Sequence, residues 1–496
     1  MQLGLWWVIL PAIALGIVVG VLPGFSPQNT LIMLLPLTLA APVEQALAFM
    51  IALYCANHLA GGIPAILVKI PGSGGAAATT LDGYPMTQKG QGQQALVLCF
   101  TASVFGGLIT TLATLALLPW LSQLGLYLRS VEMVVVMLFG LTLIAVIAAR
   151  DTLKALIAGF FGLLIGVIGT DHVYNTPRAT LGFLELYDGV PLVPALIGLF
   201  AISEALVMIE EKVIVGADGR ERALRASWAD TLEGLRIAAK KWWHIVWTAF
   251  VGLFIGIVPG AGASIAAFVA YQQSRLWSKH PELYGTGIAE GVIAPEAANN
   301  GVTSGTLVPT LALGVPGGST AAVIMIVLQY HGVLMGPRLF STHPEIAYGV
   351  FVSMAVAYVF MLFTILPLAR YASRVVLVPT AYLAPVIILV TIVAAFGERQ
   401  YLFDMALALV FGVIGYIAHK THYHVTAILI GILLGPLFEQ YLVRALRLSE
   451  GNVAILFSST LGNVLWALLA LSLALPLTRR AASTAARRRR RSSDGE

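Results

Sequence analysis

Long apolar runs alternate with short polar segments along almost the whole chain, a pattern typical of transmembrane helices. The runs at 44–68, 95–118, 191–209 and 345–369 are continuous. Each is about 20 residues long, which is the length that a helix needs to cross the hydrocarbon core. Strands of an outer-membrane barrel would instead alternate apolar and polar side chains. The pattern predicts an all-α polytopic membrane protein of about 12 transmembrane segments.

Composition supports a membrane protein. The 496 residues are 58% hydrophobic and 11% charged, and the mean hydropathy is +0.88. Soluble domains carry about 25% charged residues. The net charge is +5, and Lys and Arg are clustered in a central segment, 210–244, and in an Arg-rich tail, 479–496. Positive charge in such positions marks the cytoplasmic side of a membrane, so we predict no nucleic-acid partner.

Two sequence patterns that end in Pro-Gly occur twice each. Residues 16–24 (GIVVGVLPG) recur as 252–260 (GLFIGIVPG) at an offset of 236 residues. Residues 64–72 recur as 309–317 at an offset of 245 residues, with both prolines and the glycine aligned. Two repeated patterns in the same order predict that the membrane part consists of two related halves, each with two helix breaks.

A helix that breaks inside a membrane frees backbone groups, and these are tolerated only where they line a polar cavity or are buried in protein. The N-termini of half-helices attract carboxylates, and carbonyl groups at their C-termini suit Na⁺. We therefore expect broken or re-entrant helices whose breaks form a transport site. The alternative is that glycine and proline serve only the close packing of helices.

Charge predicts how the halves are oriented. With the segment 210–244 and the tail inside, counting spans also places Arg150, Lys154 and Lys420 inside and loop 171–190 outside. The spans 95–118 and 345–369 then run in opposite directions, which predicts two inverted-topology repeats. The resulting domains are a first membrane repeat at 1–209, a cytoplasmic basic linker at 210–244, a second membrane repeat at 245–478 and a disordered cytoplasmic tail at 479–496.

Small hydroxyl, amide and glycine residues around the breaks suit oxygen coordination and close approach of a ligand. The residues predicted to bind substrate are Ser26, Pro27, Asn29, Thr30, Lys69, Ser73, Gly74, Asn299, Asn300, Ser319 and Thr320. The residues predicted to break helices and bind a coupling ion are Pro23, Gly24, Pro71, Gly72, Pro259, Gly260, Gly262, Ser264, Pro316 and Gly317.

Several of these residues have a second interpretation. Asn299 and Asn300, predicted at the start of an apolar span, bind substrate or cap and hold the helix. Lys69 pairs with an anionic substrate or cation site, or extends to the membrane interface. For Asp82, Glu290 and Glu296, predicted in polar loops, a solvated face or a local salt bridge is favoured over a coupling role.

Motifs typical of proteases, hydrolases and P-loop ATPases are absent from the sequence. We therefore predict no catalytic residues, no metal site, no enzyme activity and no cofactor beyond a coupling cation. Transport would then be driven by an ion gradient. Two alternatives remain, which are a stand-alone organic-anion exporter or channel and a membrane-embedded enzyme.

The breaks and their flanks resemble the large membrane subunit of the tripartite tricarboxylate transporters (TctA-like permeases), from residue 5 to about 476. The run APEAANN at 294–300 is the most specific match. The other matching stretches are 20–27, 34–38, 61–65, 70–72, 81–86, 256–262, 290–293, 314–318 and 435–439.

This resemblance implies a multi-pass permease of a bacterial inner membrane. It would work with a small membrane subunit (TctB-like) and a periplasmic solute-binding protein (TctC-like) that delivers a carboxylate. Uptake in such systems is coupled to a cation, which is Na⁺ in the type case. Lys69 departs from the neutral residue of the family pattern, so a tricarboxylate, a dicarboxylate and an aromatic acid all remain open as substrates.

Overall fold

The computed structural model describes residues 5–22, 25–125, 129–147, 152–170, 176–210, 228–259, 262–336, 338–375 and 380–470. The described chain is almost entirely helical, and its strands are the two-residue pair β1 (Gly169–Thr170) and β2 (Pro177–Arg178), which are antiparallel. The all-α prediction is confirmed. Some predicted features lie outside the described residues. They are the first helix break at Pro23 and Gly24, residues 211–227 of the linker, and the tail.

The first predicted half forms eleven helical segments. They are α1 (Trp6–Gly20), α2 (Pro27–Leu34), α3 (Pro36–Leu39), α4 (Val43–Ala60), α5 (Gly62–Val68), α6 (Thr80–Gln88), α7 (Gly92–Gly125), α8 (Ser130–Ile147), α9 (Thr152–Gly166), α10 (Leu192–Leu196) and α11 (Ser203–Glu210) among the described residues. A π-helical stretch, Ile197–Ile202, joins the last two. The segment after the first break is the helix pair α2 and α3. Each begins with a proline, whose missing N–H would have had no partner within the helix at that position.

The linker and second half continue in the same manner. Their helices are α12 (Trp228–Lys240), α13 (Trp242–Ile257), α14 (Gly262–Trp277), α15 (Ala289–Leu313), α16 (Ser319–Tyr330), α17 (Leu339–Thr342), α18 (Pro344–Val375), α19 (Thr380–Arg399), α20 (Leu402–Lys420), α21 (Val425–Leu448) and α22 (Thr460–Ala470). Two predictions were wrong here. The supposed polar loop around Asp82 contains α6, and α15 begins ten residues before Asn299, which therefore lies within the helix.

Within the described residues, six helices are long and apolar enough to cross a membrane. They are Val43–Val68, Gly92–Trp120, Leu192–Glu210, Pro344–Thr364, Leu402–Lys420 and Val425–Leu448. Shorter apolar helices include α1, α13 and α16. The chain therefore has the helices of a multi-pass membrane protein, although the described spans are fewer than the twelve segments predicted.

The chain forms two compact units. Unit 1 consists of Met1–Gly125 and Pro191–Thr421, and unit 2 consists of Leu126–Val190 and His422–Glu496. The centre of unit 1 is α4 with α5, together with α15, and α1, α7 and α13 pack against them. Each unit contains residues of both predicted halves, so the two compact units do not correspond to the two predicted repeats. The repeat boundaries stay a prediction.

In unit 2, α9 packs closely on α21, and glycines make this approach possible. A methyl group added to Gly162 would overlap the carbonyl oxygen of Ile428, and one added to Gly166 would lie 2.7 Å from that of Ile432. Small residues at such contacts let helix backbones approach each other in a membrane. The Arg178 guanidinium also binds the Glu439 carboxylate through two hydrogen bonds of 2.7 and 3.0 Å.

We expect Gly162→Ala to destabilise unit 2 by about 1–3 kcal/mol, because the new methyl group pushes α9 away from α21. Gly159→Ala is the matched control, since a methyl group there would meet its first neighbour at 4.0 Å. The control should be neutral or more stable by up to about 1 kcal/mol, because alanine favours a helix. Thermal unfolding of both variants in detergent measures the difference, and equal transition temperatures would contradict this packing.

Candidate functional site

The first break of each half has the same packing. A methyl group added to Gly16 would lie 2.9 Å from the carbonyl oxygen of Leu53 on α4, and one added to Gly252 would lie 2.7 Å from Cα of Ala298 on α15. Ala298 follows Leu53 by the offset of 245 residues. The next glycines of the pattern, Gly20 and Gly256, also meet equivalent positions, which are Asn57 and Val302.

The second break of each half has the same backbone conformation. Lys69 ends α5 at φ 62° and ψ 20°, and the aligned Gly314 ends α15 at φ 68° and ψ 21°. Both are left-handed, a conformation that glycine adopts more readily than lysine. The N–H groups of the following residues bond back to the aligned prolines Pro64 and Pro309, at 3.3 and 3.4 Å.

The two breaks of the first half meet each other in unit 1. A methyl group on Gly72 would lie 2.8 Å from both the carbonyl oxygen of Gly20 and Cα of Gly61. Asn57, one turn before Gly61, donates from Nδ2 to Thr30 Oγ1 at 2.6 Å. The end of α1, the start of α2, the α4–α5 junction and the loop after Pro71 therefore converge. This convergence brings together predicted residues that are more than 40 positions apart in the sequence.

Four buried side-chain oxygens of this region have no hydrogen-bond partner. They are Ser26 Oγ, Asn29 Oδ1, Asn57 Oδ1 and Ser73 Oγ. Ser73 lies beside the α4–α5 junction, because a methyl group on Gly61 would be 3.1 Å from its Oγ. Buried polar atoms nearly always have partners, and an unmet group often indicates an ion or water site. Hydroxyl and amide oxygens are suitable ligands for a hard cation. We call these four side chains the oxygen cluster.

The loop after Pro71 also contacts the second half. A methyl group on Gly74 would overlap Ser264 Oγ near the start of α14, and one on Gly75 would overlap Asn299 Oδ1 on α15. Gly74 and Ser264 are exposed, whereas Asn299 is buried. Gly262 begins α14 at φ +67°, and a methyl group there would meet nothing within 4 Å. The predicted residues Gly74, Ser264 and Asn299 therefore form one neighbourhood with the oxygen cluster.

Other predicted residues lie elsewhere. Pro316 and Gly317 are buried, and a methyl group on Gly317 would lie 2.6 Å from Cα of Thr306. Ser319 and the buried Thr320 begin α16 directly after this contact. Pro27 is buried at the first position of α2, and Pro259 is half-buried after α13. Gly260 lies outside the described residues.

Lys69 is exposed, and its ammonium group lies 5.7 Å from the centre of the Tyr84 ring. The structure therefore shows no buried lysine at this break. Its ring contact is a cation–π interaction of the kind that holds exposed cations weakly. A contact between Lys69 and a substrate stays a prediction.

The two asparagines of α15 face different neighbours. Asn299 Oδ1 pairs with His58 Nδ1 at 3.0 Å, and its Nδ2 donates to the carbonyl oxygen of His58 at 3.2 Å. Asn300 Nδ2 donates to the carbonyl oxygen of Glu296 at 3.3 Å, while its Oδ1 accepts from Tyr358 of α18 at 3.3 Å. Only Asn299 also touches the loop after Pro71. Adjacent residues on a helix point about 100° apart, which explains the difference.

A buried polar network runs along α15, and its tyrosine members were not predicted. Tyr54 pairs with Thr306 at 3.0 Å, and Tyr358 pairs with Thr303 at 2.9 Å. Residues 54, 57 and 58 lie three and four positions apart, a helical spacing that could have indicated a polar face on α4. The tyrosine partners could not be found in this way, because they lie on other helices.

Two acidic residues were misread from the sequence. Asp82 and Glu296 have no exposed surface, so the solvated interpretation was wrong for both. Asp82 accepts hydrogen bonds from Tyr271 and from backbone N–H groups ahead of α15. Glu296 accepts hydroxyl groups of Thr79 and Ser103. Glu290 forms a salt bridge with Lys241 at 2.6 Å, which agrees with one of the two interpretations favoured for it.

The fold and this site define a multi-pass α-helical membrane protein whose broken helices meet at a buried polar centre. The chain belongs to the tripartite tricarboxylate transporter TctA family, whose family model matches residues 5–430. This confirms the resemblance seen in the motifs, and it identifies the chain as a membrane subunit of a tripartite transporter.

One relative covers nearly the whole chain, and another covers less than half of it. An uncharacterised 52.8 kDa protein of the TAR-I ttuC' 3' region of Agrobacterium vitis is 30% identical over 462 residues, which are 93% of this chain and 90% of that protein. An uncharacterised protein of the TAR-II ttuC' 3' region of the same organism is 29% identical over 217 residues, which are 44% of this chain and 90% of that protein. No solved structure has significant similarity to the chain.

Proposed function

We propose that this chain is the translocating subunit of a secondary active importer of a carboxylate, and that Na⁺ bound at the oxygen cluster drives the uptake. The observation that carries this proposal is the set of four buried oxygens without partners at the meeting point of two helix breaks. Leaving such groups unpaired destabilises a fold by about 1–3 kcal/mol each. Coordination of a small cation by these oxygens removes that penalty.

The proposed carboxylate site lies next to the oxygen cluster. Gly74 and Ser264 are exposed there, and the bare backbone of Gly262 lets a ligand approach the start of α14. α14 has 16 residues, and the N-terminus of a helix carries free N–H groups and partial positive charge. Asn299 would add a side-chain amide. A cation bound a few ångströms away would strengthen carboxylate binding, which is the physical basis for coupling the two.

The proposed architecture is two inverted-topology repeats with about 12 membrane segments in total. The equivalent packing of Gly16 with Gly252, and the equivalent backbone at Lys69 and Gly314, support the repeat. We propose that the protein lies in a bacterial inner membrane with the linker and C-terminus in the cytoplasm. A small TctB-like membrane subunit and a periplasmic TctC-like binding protein would complete the transporter. We assign the chain no enzymatic reaction.

The proposal is tested by uptake into proteoliposomes that contain this chain and its small membrane subunit, with the binding protein outside. Radiolabelled tricarboxylates, dicarboxylates and aromatic acids are supplied under an inward Na⁺ gradient or a choline gradient. We expect uptake of at least one of these classes with Na⁺ and little with choline. Equal uptake under both gradients would contradict Na⁺ coupling, and no uptake of any class would contradict carboxylate import.

Loss of one oxygen ligand should weaken Na⁺ binding. We expect Ser26→Ala and Ser73→Ala each to raise the Na⁺ concentration for half-maximal uptake about tenfold, which corresponds to about 1.4 kcal/mol. The matched control is Ser341→Ala, because Ser341 is an exposed serine whose hydroxyl bonds only locally, to the Arg338 carbonyl at 2.8 Å. Unchanged Na⁺ dependence in both cluster variants would show that the oxygen cluster is not the cation site.

A further inference from the structure

Glu296 is a carboxyl group buried in the middle of α15, outside the oxygen cluster. Its Oε1 accepts the Thr79 hydroxyl at 2.6 Å, and its Oε2 accepts the Ser103 hydroxyl of α7 at 3.0 Å. A methyl group on Gly62 of α5 would lie 2.9 Å from Oε1 and 2.5 Å from the Cys99 sulfur. Glu296 is therefore enclosed by α5, α7 and the segment that precedes α6.

None of the ion pairs in the described part of the chain includes Glu296. The buried or half-buried titratable groups on the elements around it include Cys99 on α7, Tyr54, Cys55 and His58 on α4, Asp82 on α6, Tyr271 on α14, His244 on α13, Tyr358 on α18 and Glu290 on α15 itself. Asp82 is already held by backbone N–H groups, and Lys241 is paired with Glu290. The carboxyl group thus has hydroxyl partners without a cationic one.

This environment suits a neutral carboxylic acid better than a carboxylate. Taking an ionised carboxylate out of water costs several kcal/mol unless an opposite charge accompanies it. The neutral donors around it, which are the hydroxyls of Thr79 and Ser103, the Cys99 thiol and the Asn299 amide, offset only part of that cost. A protonated carboxyl group avoids it, because its O–H can donate to a hydroxyl oxygen while the other oxygen still accepts a hydrogen bond.

The position of Glu296 links it to the proposed carboxylate site. Asn299 follows it by three residues on α15, so the two side chains lie about one helical turn apart. Two negative charges about one helical turn apart repel each other, and more strongly in a protein interior than in water. A substrate carboxylate near Asn299 would therefore bind better when Glu296 is neutral.

The fold itself does not require an acid at this position. The residue that precedes Glu296 by the repeat offset of 245 is Ile51, which lies on α4 and is fully buried. An apolar side chain therefore fills the equivalent place in the other half. The two halves therefore differ at this position, with a carboxyl group in one and an alkyl group in the other. Such a difference is expected for a residue that has a chemical role.

We propose that Glu296 is a proton-binding site, and that uptake is coupled to a proton in addition to the cation of the oxygen cluster. A proton from water forms an O–H bond on the carboxylate before the substrate anion binds, and it returns to water after the substrate leaves. No electrons are exchanged, and the side chain ends as it began. The coupling rests on the proposed transport function, but proton binding itself does not.

Infrared difference spectroscopy of the purified protein in detergent tests proton binding without any substrate. The wild type should show a protonated-carboxyl C=O band that persists at neutral pH, where an ordinary glutamate with pKa about 4.3 is ionised. Glu296→Gln should lack this band, and Glu290→Gln should keep it, because Glu290 lies on the same helix but is paired with Lys241. A Glu296→Gln spectrum identical to that of the wild type would overturn the proposal.

Proton coupling is then measured in the proteoliposomes with a trapped pH-sensitive dye. Wild-type uptake should acidify the lumen and slow at least fivefold when the outside pH rises from the optimum into the alkaline range. Glu296→Gln should abolish substrate-linked acidification, and Glu296→Asp should restore part of it, which a merely structural role would not predict. Wild-type uptake without acidification would overturn the coupling, while absence of uptake would instead contradict the transport function.

Discussion

Asp82→Ala is expected to destabilise the protein by about 3–5 kcal/mol, because one buried carboxylate holds the start of the central helix α15. Its Oδ1 accepts N–H groups of Gly285, Gly287 and Ile288 at 2.9, 2.7 and 3.0 Å. Its Oδ2 accepts the Tyr271 hydroxyl at 2.8 Å. Ile288 is the N-cap residue of α15, so the negative charge also lies at the positive end of the helix dipole.

Alanine would leave the buried Tyr271 hydroxyl and the half-buried N–H groups of Gly287 and Ile288 without this acceptor. Asn in place of Asp82 keeps one acceptor oxygen and loses the charge, so Asp82→Asn should lose about half as much stability. Glu282→Ala is the control, because Glu282 lies in the same loop region and pairs only with the exposed His280. It should change stability by less than about 0.5 kcal/mol.

The chain provides a probe for this measurement. Cys55 and Cys99 are both buried, so a thiol-reactive dye labels the protein only when it unfolds. Heating the detergent-solubilised variants with such a dye reports the transition temperature. Wild-type transition temperature in Asp82→Ala would show that the carboxylate does not hold α15.

Asn299→Ala is expected to reduce carboxylate uptake about 100-fold, which corresponds to about 2.7 kcal/mol, whereas Asn300→Ala should retain most of it. The reason is the direction of the two amides. Asn299 pairs with His58 and touches the loop at Gly75, next to the proposed carboxylate site. Asn300 instead bonds Tyr358, on the side of α18. Its loss should therefore affect packing more than binding.

Uptake in proteoliposomes and dye labelling on heating separate the two effects. Asn299→Ala should combine low uptake with a transition temperature near that of Asn300→Ala, because each variant loses two side-chain hydrogen bonds. Asn299→Asp is an additional variant, since a negative charge at this place should repel the substrate carboxylate and abolish uptake. Full uptake in Asn299→Ala together with loss in Asn300→Ala would reverse our assignment of the two residues.

Much of the architecture could be read from local patterns. Continuous apolar runs of helical length predicted an all-α membrane protein, and the described helices confirm it. The second Pro-Gly pattern located the ends of α5 and α15, because a left-handed residue followed by proline stops a helix. The motifs of the breaks, together with the APEAANN run, identified the family. Each of these signals lies within about ten neighbouring residues, where the chain itself limits the possible geometry.

Partners distant in the sequence were beyond such reasoning. Polarity alone suggested that Asp82 and Glu296 face water, yet their partners are Gly287, Thr79 and Ser103 on other segments. The hydrogen bond of Asn57 could not be predicted for the same reason, since its partner Thr30 lies 27 residues away.

The sequence by itself determined the membrane class, the broken helices and the family, because apolar length, proline and glycine act through local chemistry. The tertiary structure alone decided which polar groups of the breaks come together. It joined Ser26, Asn57 and Ser73 in one buried region, left Lys69 exposed, and enclosed Glu296 without a cation. A polar residue gains its role from the partners that packing brings to it, and packing depends on contacts between helices that no single stretch of sequence contains.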